Sequence, residues 1–184
     1  MSAQPNSPRD CLRQPVTFTL GTNQHNQQNG EKMLRRFVII TLVSLLFSGC
    51  ASVPMESETV SAQAKSFSPA VDGNAGLYIY RSSGLGTAIK KDIWVDGKCI
   101  GETAPNMFFY EEVKGNAEHK ITTESEFSPN ELLLSTESGK NYFIKQYMKP
   151  GVFVGGAGLE TMDEKEGKAD IAELGMAKKG ICSK

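Results

Sequence analysis

The feature that most constrains the fold is an alternation of apolar and polar residues on both sides of Asp96-Gly97. Lys90–Val95 (KKDIWV) precedes this dipeptide and Lys98–Glu102 (KCIGE) follows it. A period of two residues predicts β-strands, and Asp-Gly supplies the two positive φ angles of a type I′ turn. The sequence therefore predicts a hairpin.

The side chains of the predicted hairpin are expected to lie on two opposite faces of the sheet. With a two-residue turn Trp94 lies opposite Cys99, and consecutive strand residues point to opposite sides. We therefore expect Ile93, Val95 and Ile100 to face the core, and Trp94 and Cys99 to lie on the outer face.

Similar short segments recur between residues 77 and 154. The further predicted strands are 77–81, 107–113, 119–124, 132–136, 141–148 and 152–154. Short strands separated by turn residues predict a mainly-β domain, a small antiparallel β-sandwich or barrel.

One short C-terminal helix is expected after these strands. Asp163 and Glu166 have the spacing of a capping box, and Gly167, Ile171 and Leu174 fall on one helical face. We expect the helix to end at Gly175, because glycine often terminates helices.

The first 49 residues have a different character. Residues 1–32 are rich in Gln, Asn, Ser and Pro, which predicts a disordered extension upstream of the natural start. Met33-Leu34-Arg35-Arg36 then precedes an apolar run of 11 residues, Phe37–Phe47, well short of the ~20 residues that span a bilayer. Residues 33–49 are therefore interpreted as a signal peptide.

The end of this run resembles the lipobox of bacterial lipoproteins, on the residues Leu46-Phe47-Ser48-Gly49-Cys50. The resemblance implies cleavage after Gly49, followed by a diacylglycerol thioether and an N-acyl chain on Cys50, with no other cofactor. It also implies attachment to a membrane of the cell envelope. In a Gram-negative cell, Ala51 indicates the outer membrane.

Residues 50–75 show no hydrophobic period. We interpret them as the lipidated cysteine and a flexible tether with a root-mean-square reach of about 25–30 Å. The folded β-sandwich is then expected over residues 76–184.

Composition and motifs argue against several functions. The net charge of −1 disfavours nucleic-acid binding, which needs a dense basic surface. His119 is the one histidine after Cys50 and is predicted to be an exposed strand residue, while Glu111 and Glu112 are expected on opposite faces. No calcium, zinc or phosphate-loop motif is present, so we predict a protein without catalytic residues or a metal site.

Cys99 and Cys182 are candidates for a disulfide bond. Cysteines of small domains tend to pair in an oxidising compartment, and the absence of a C-x-x-C motif disfavours a redox or zinc site. Such a bond would fix the C-terminal tail on the outer face that carries Trp94.

Exposed aromatic residues are the remaining candidates for a binding surface. They are Trp94, Tyr80, Phe108, Phe109 and Tyr110. The alternative is that they pack in a core on both faces of a sheet.

Three segments together resemble a known family: Tyr78-Ile79-Tyr80-Arg81, Trp94-Val95-Asp96-Gly97-Lys98 and Gly139-Lys140-Asn141-Tyr142-Phe143. They are similar to the small bacterial lipoproteins of domain of unknown function 2846. The resemblance implies a compact sandwich similar to PEGA-type and Ig-like domains, and it implies no catalytic residues.

Two functions follow as expectations. The first is a non-catalytic structural or adaptor module that binds an envelope protein. The alternative is a lipoprotein that binds a small ligand or a cell-wall glycan, including one that inhibits a lytic enzyme. A pocket lined by Trp94, Tyr80 or Tyr110 would favour the alternative, and an uncovered edge strand would favour the adaptor.

Overall fold

The computed structural model describes residues 52–84, 88–124, 130–150 and 155–183, and these form nine strands and two short helices. The strands are β1 Asn74–Arg81, β2 Lys91–Val95, β3 Lys98–Thr103, β4 Met107–Lys114, β5 Ala117–Thr123, β6 Asn130–Thr136, β7 Asn141–Lys149, β8 Gly156–Met162 and β9 Gly175–Met176. The helices are α1 Glu58–Ala64 and α2 Glu164–Ala172. The strand predicted at 152–154 lies outside the described residues.

The strands form two sheets, so the predicted mainly-β sandwich is confirmed. One sheet has the order β8-β7-β1-β4-β9, and the other has the order β3-β2-β5-β6. The four-stranded sheet is antiparallel throughout, whereas β1 pairs in parallel with β7 and β4 pairs in parallel with β9. The expectation of an antiparallel sandwich is therefore wrong for these two pairs of the five-stranded sheet, because β1 and β7, like β4 and β9, are joined by long connections and not by hairpins.

The space between the sheets holds the main hydrophobic core. Ile93, Val95 and Ile100 belong to it, as predicted from the hairpin. A bulge between Ile93 and Trp94 shifts the register of β2 against β3, and Gly101 has a φ of 147° there. Full burial of each large aliphatic side chain contributes about 1.5–3 kcal/mol.

A second core lies on the outer face of the five-stranded sheet. Its buried residues include Tyr78, Tyr80, Phe108 and Phe143 from the strands, with Ile171 from α2. The Tyr80 hydroxyl also donates a 2.8 Å hydrogen bond to Asp170 of α2. Both faces of β1 and β4 are thus covered.

The helix α2 agrees with its sequence signals at the start and departs from them at the end. The Asp163 carboxylate accepts a 2.9 Å hydrogen bond from the Glu166 amide, and Gly167 and Ile171 are buried. Glu173 caps the C-terminus. Gly175 does not end the helix as expected, because it pairs with Met107 as the first residue of β9.

The predicted flexible tether is wrong for residues 52–75. Ser57 caps α1 by accepting a hydrogen bond from the Val60 amide, and the Tyr78 hydroxyl donates a 2.8 Å bond to the Ala64 carbonyl. Before α1, Met55 forms an antiparallel bridge with Ala177. The helix has seven residues and depends on these tertiary contacts, since isolated helices of this length are unstable. The domain therefore starts well before residue 76.

The last part of the chain joins the two sheets, and we call residues 177–183 the clasp. The Ala177 amide donates to the Phe108 carbonyl in the five-stranded sheet, and the Gly180 amide donates to the Ile100 carbonyl in the four-stranded sheet, each at 2.9 Å. The Glu102 amide donates to the Ile181 carbonyl at 3.0 Å. The clasp therefore covers the edge of β3.

Candidate functional site

A groove of about 310 Å³ lies between α1, the segment that follows it, and the outer face of β1 and β4. This volume is in the range of small-ligand sites. The lining includes Val60 and Gln63 of α1, Pro69 and Val71 of the following segment, and Tyr110 and Glu112 of β4.

The floor of the groove is shaped by the pairing of β1 with β4. Tyr78 lies opposite Tyr110, with ring centroids 4.8 Å apart, and Gly76 lies opposite Glu112. A Cβ atom at Gly76 would lie 2.9 Å from the Tyr110 ring and still closer to Asn141. The Tyr110 ring occupies the space that a side chain at position 76 would need.

Among the described residues that line the groove, Glu112 has the one charged side chain. Its carboxylate accepts hydrogen bonds from the Tyr110 hydroxyl at 3.1 Å and from the Asn74 amide nitrogen at 3.2 Å. Burial, followed by the nearby Glu112 charge, raises the pKa of Tyr78 to about 12. Burial and the bond to Glu112 also raise the pKa of Tyr110. Both phenols therefore stay protonated at neutral pH, and the groove presents an acidic and aromatic surface.

The predicted aromatic surface is only partly present. Tyr110 lines the groove, and Trp94 is half-buried beside Thr122 in the four-stranded sheet. Tyr80, Phe108 and Phe109 are fully buried at 0% exposure, so their prediction as surface residues is wrong. Phe109 belongs to the core between the sheets, whereas Tyr80 and Phe108 belong to the core beneath the helices.

Cys99 and Cys182 are joined by a disulfide bond. The bond links β3 to the clasp across 83 residues of sequence, next to Trp94 on the neighbouring strand. Closing a loop of this size contributes about 4–5 kcal/mol in the chain-entropy account. The predicted lipidation site Cys50 and cleavage site Gly49 lie outside the described residues.

Glu111 and Glu112 have different partners, in agreement with their expected opposite faces. Glu111 is 8% exposed and forms ion pairs with Lys98 at 2.9 Å and Lys179 at 2.5 Å. Burial is the largest single influence and raises the pKa of Glu111, but the two lysines together lower it below the ordinary value. Glu111 thereby attaches the clasp to β4.

His119 is buried, so the prediction of an exposed residue is wrong. It is 6% exposed, with Nδ1 2.6 Å from the Asp96 carboxylate and Nε2 2.7 Å from the Lys114 carbonyl. Burial lowers the pKa of His119, and the bonds to Asp96 and Lys114 outweigh it and raise the pKa above 6.5. Both ring nitrogens are engaged in tying the β2–β3 turn to the β4–β5 turn.

A buried polar network crosses the core, and the sequence analysis missed it. Gln146 of β7 is 1% exposed; its Oε1 contacts the Thr103 hydroxyl at 2.5 Å and its Nε2 donates to the Thr123 hydroxyl at 2.7 Å. The Thr123 hydroxyl donates in turn to the Asp92 carbonyl. The one available signal was a polar residue two positions after the apolar Ile144. The network fixes the register of one sheet against the other.

Neither a group of metal-binding side chains nor a membrane-spanning helix is found among the described residues. Among residues 52–84, 88–124, 130–150 and 155–183, no three His, Cys, Asp or Glu side chains are grouped so that they could bind a metal ion. In the same ranges no helix has the length and hydropathy needed to span a membrane.

Comparison with known proteins finds two similarities. The family model described as "Protein of unknown function (DUF2846)" matches residues 71–157. An uncharacterized protein of Haemophilus influenzae is 58% identical over 135 residues, which cover 73% of this chain and 80% of the relative. No solved structure matches the chain.

The ion pair of His119 makes stability depend on pH. Because the pKa of His119 is raised, its stabilising contribution is complete below about pH 6.5 and is lost as the pH rises through the raised value. The pKa of Asp96 is lowered below 3.8, so its contribution is present above that pH and is lost on further acidification. NMR titration of the His119 ring should give a pKa above 6.5.

Asp96→Asn is the matched variant for this titration, because Asn-Gly also favours a type I′ turn. It should lower the His119 pKa while the hairpin stays intact. An unchanged His119 pKa in Asp96→Asn would contradict the role given to the ion pair.

The disulfide bond can be tested by counting the reactive cysteine thiols. In a chain with Cys11→Ser and Cys50→Ser, denatured without reductant, no thiol should react, because Cys99 and Cys182 are bonded. Cys182→Ser should then lower the free energy of unfolding by about 2–5 kcal/mol. Two reactive thiols in the first measurement would rule out the bond.

Proposed function

The chain belongs to the family of proteins of unknown function DUF2846, and from this premise we propose that it is a lipid-anchored protein of the cell envelope. In this proposal its β-sandwich is a non-catalytic module that binds another envelope component. The observation that carries the proposal is that the folded unit begins, in the sequence, directly after Cys50.

The compact unit comprises Ala51–Lys184 and starts directly after Cys50. The first described residues already take part in the fold, since Val53 packs against the main core and Met55 bridges Ala177. Cleavage after Gly49 would therefore leave the complete unit with Cys50 at its N-terminus. Two or three acyl chains on Cys50 would hold it stably, whereas one chain anchors only marginally.

The polar side chains that could support catalysis are already engaged in structural contacts. Both ring nitrogens of His119 accept or donate hydrogen bonds, and Glu111 is held by two lysines. The raised pKa values of Tyr78 and Tyr110 keep their phenols protonated at neutral pH, so no phenolate is available to act as a base. This arrangement supports a binding function rather than acid–base chemistry.

The groove favours the second candidate, the binding of a small ligand or a cell-wall glycan. Glu112 and Tyr110 offer a carboxylate and an aromatic ring at one site. By contrast, the clasp covers the edge of β3, and the bond from the Glu56 amide to the Met176 carbonyl covers β9. Strand addition by a partner protein has fewer accessible positions at these two edges.

Acylation of Cys50 tests the anchor. The full chain should enter the membrane fraction and yield an N-terminal peptide with acylated Cys50, identified by mass spectrometry. Cys50→Ala should abolish cleavage and acylation, whereas Cys11→Ala should behave as the unaltered chain because residues 1–49 are removed. Normal processing of Cys50→Ala would contradict the proposal.

Cross-linking in living cells tests the binding module. Material cross-linked to the groove should decrease in Glu112→Gln, which removes the charge but keeps the shape of the side chain: its Oε1 can still accept from Asn74, and its Nε2 can donate to the Tyr110 hydroxyl. Glu131→Gln on exposed β6 is the matched control and should change nothing. A dominant protein lost in Glu112→Gln would establish the adaptor, and cell-wall fragments would establish the second candidate. Equal capture by both variants would exclude the groove.

A further inference from the structure

The path of the first described residues shows where the chain leaves the domain towards Cys50. The Lys178 amide donates a 2.9 Å hydrogen bond to the Pro54 carbonyl, next to the antiparallel bridge of Met55 with Ala177. Continuing this register by one pair places Val53 opposite Lys179. The chain therefore approaches Cys50 alongside the clasp.

The segment that connects Cys50 to the fold is very short. Two residues, Ala51 and Ser52, lie between Cys50 and Val53, and the three residue steps of an extended chain span at most ~3.3–3.6 Å each, or about 11 Å in total. A lipid anchor on Cys50 would therefore keep this part of the domain about 11 Å or less from the headgroups. The connecting segment is thus too short to act as a flexible tether that would let the sandwich move away from the membrane.

The surface beside this exit is basic and partly apolar. The Lys98 and Lys179 side chains are 72% and 44% exposed, while the side chain of their shared partner Glu111 is only 10% exposed. Lys178 is also exposed, and Ile181 is 75% exposed. We call these four residues, Lys98, Lys178, Lys179 and Ile181, the basic corner. The Lys98 and Lys179 ammonium groups both pair with the Glu111 carboxylate, so the three lysines exceed this one negative charge by two positive charges.

We propose that the basic corner docks on the anionic phospholipid headgroups of the membrane that carries the anchor. This inference rests on the proposed function, because the short connection matters only when Cys50 is acylated. The lysines attract the phosphate groups, and Ile181 contacts the interface between headgroups and acyl chains. The domain then lies on the bilayer and meets only components that are close to the membrane.

The electrostatic part of docking has a measurable size. A lysine near an anionic membrane surface shifts the ratio of docked to undocked domain about five-fold. Docking should therefore weaken when salt is raised and when anionic lipid is omitted. Vesicles of phosphatidylcholine alone provide the zwitterionic comparison.

Trp94 is a suitable reporter because it is the one tryptophan of the chain, and its strand neighbour Cys99 adjoins the basic corner. The lipidated full chain is reconstituted in vesicles of phosphatidylcholine and phosphatidylglycerol that contain dansyl-labelled headgroups. Energy transfer from Trp94 to the dansyl group should be high. A Gly/Ser insertion of about 25 residues after Ala51 would have a reach of about 25–30 Å and should allow the domain to leave the membrane surface. Combined with Lys178→Glu, this insertion should abolish most of the energy transfer.

Lys178→Glu in the chain with the insertion tests the corner without disturbing Glu111, because the domain is then free to leave the membrane surface. It should lower the transfer on anionic vesicles and leave it unchanged on phosphatidylcholine. Lys120→Glu, at an exposed position of β5, is the matched control in the same inserted chain and should have no effect on either. Equal transfer with and without Lys178→Glu in the inserted chain on anionic vesicles would overturn the docking proposal.

Mass spectrometry of the same samples separates this proposal from the one on which it rests. Acylated Cys50 with low transfer on anionic vesicles in the chain with the insertion and no other change would overturn the docking surface alone. Absence of acylation would overturn both proposals. Acylated Cys50 with high, salt-sensitive transfer is the result that supports docking.

Discussion

The structure depends on the pairing of β1 with β4, two strands whose faces are both apolar. Leu77, Ile79 and Phe109 point to the core between the sheets, whereas Tyr78 and Phe108 point to the opposite side. A sheet with two apolar faces cannot leave one of them in water without losing the free energy of burying those rings. The five-stranded sheet therefore needs a cover on its outer face, and α1 and α2 provide it.

This requirement explains why the segment after Cys50 folds. Its own sequence has little hydrophobic period, yet Val53 packs against the main core and Ala64 packs against the outer aromatic residues. The same segment forms one wall of the groove. The folding of this segment onto the aromatic face therefore explains both why the domain begins close to Cys50 in the sequence and why the groove exists.

The strands could be predicted from the sequence because their signal is local. The alternation around Asp96-Gly97 predicted both strands and the inward direction of Ile93, Val95 and Ile100. The capping box at Asp163 likewise predicted the start of α2. The fold of residues 52–75 could not be predicted, since its stability comes from contacts with strands and with the clasp more than a hundred residues later.

The candidate site was predictable only in part for the same reason. Consecutive aromatic residues in β4 showed that both faces are apolar, but the sequence did not show which face would be covered. Burial of His119 and Gln146 depends on partners from other strands, Asp96 and Thr123, whose proximity is set by the register. Of the aromatic residues of β4 that were candidates for a surface, Tyr110 is half-buried and lines the groove.

The central claim is that residues 52–75 belong to the folded domain and cover its aromatic face. Hydrogen–deuterium exchange of the backbone amides in the full chain tests it most directly, because an amide in a packed element exchanges far more slowly than one in an unstructured chain. The account predicts protection of amides such as that of Lys65, which bonds to the Ser61 carbonyl, and loss of that protection in Tyr78→Ala. Exchange across residues 57–67 at the rate of an unstructured peptide would contradict it.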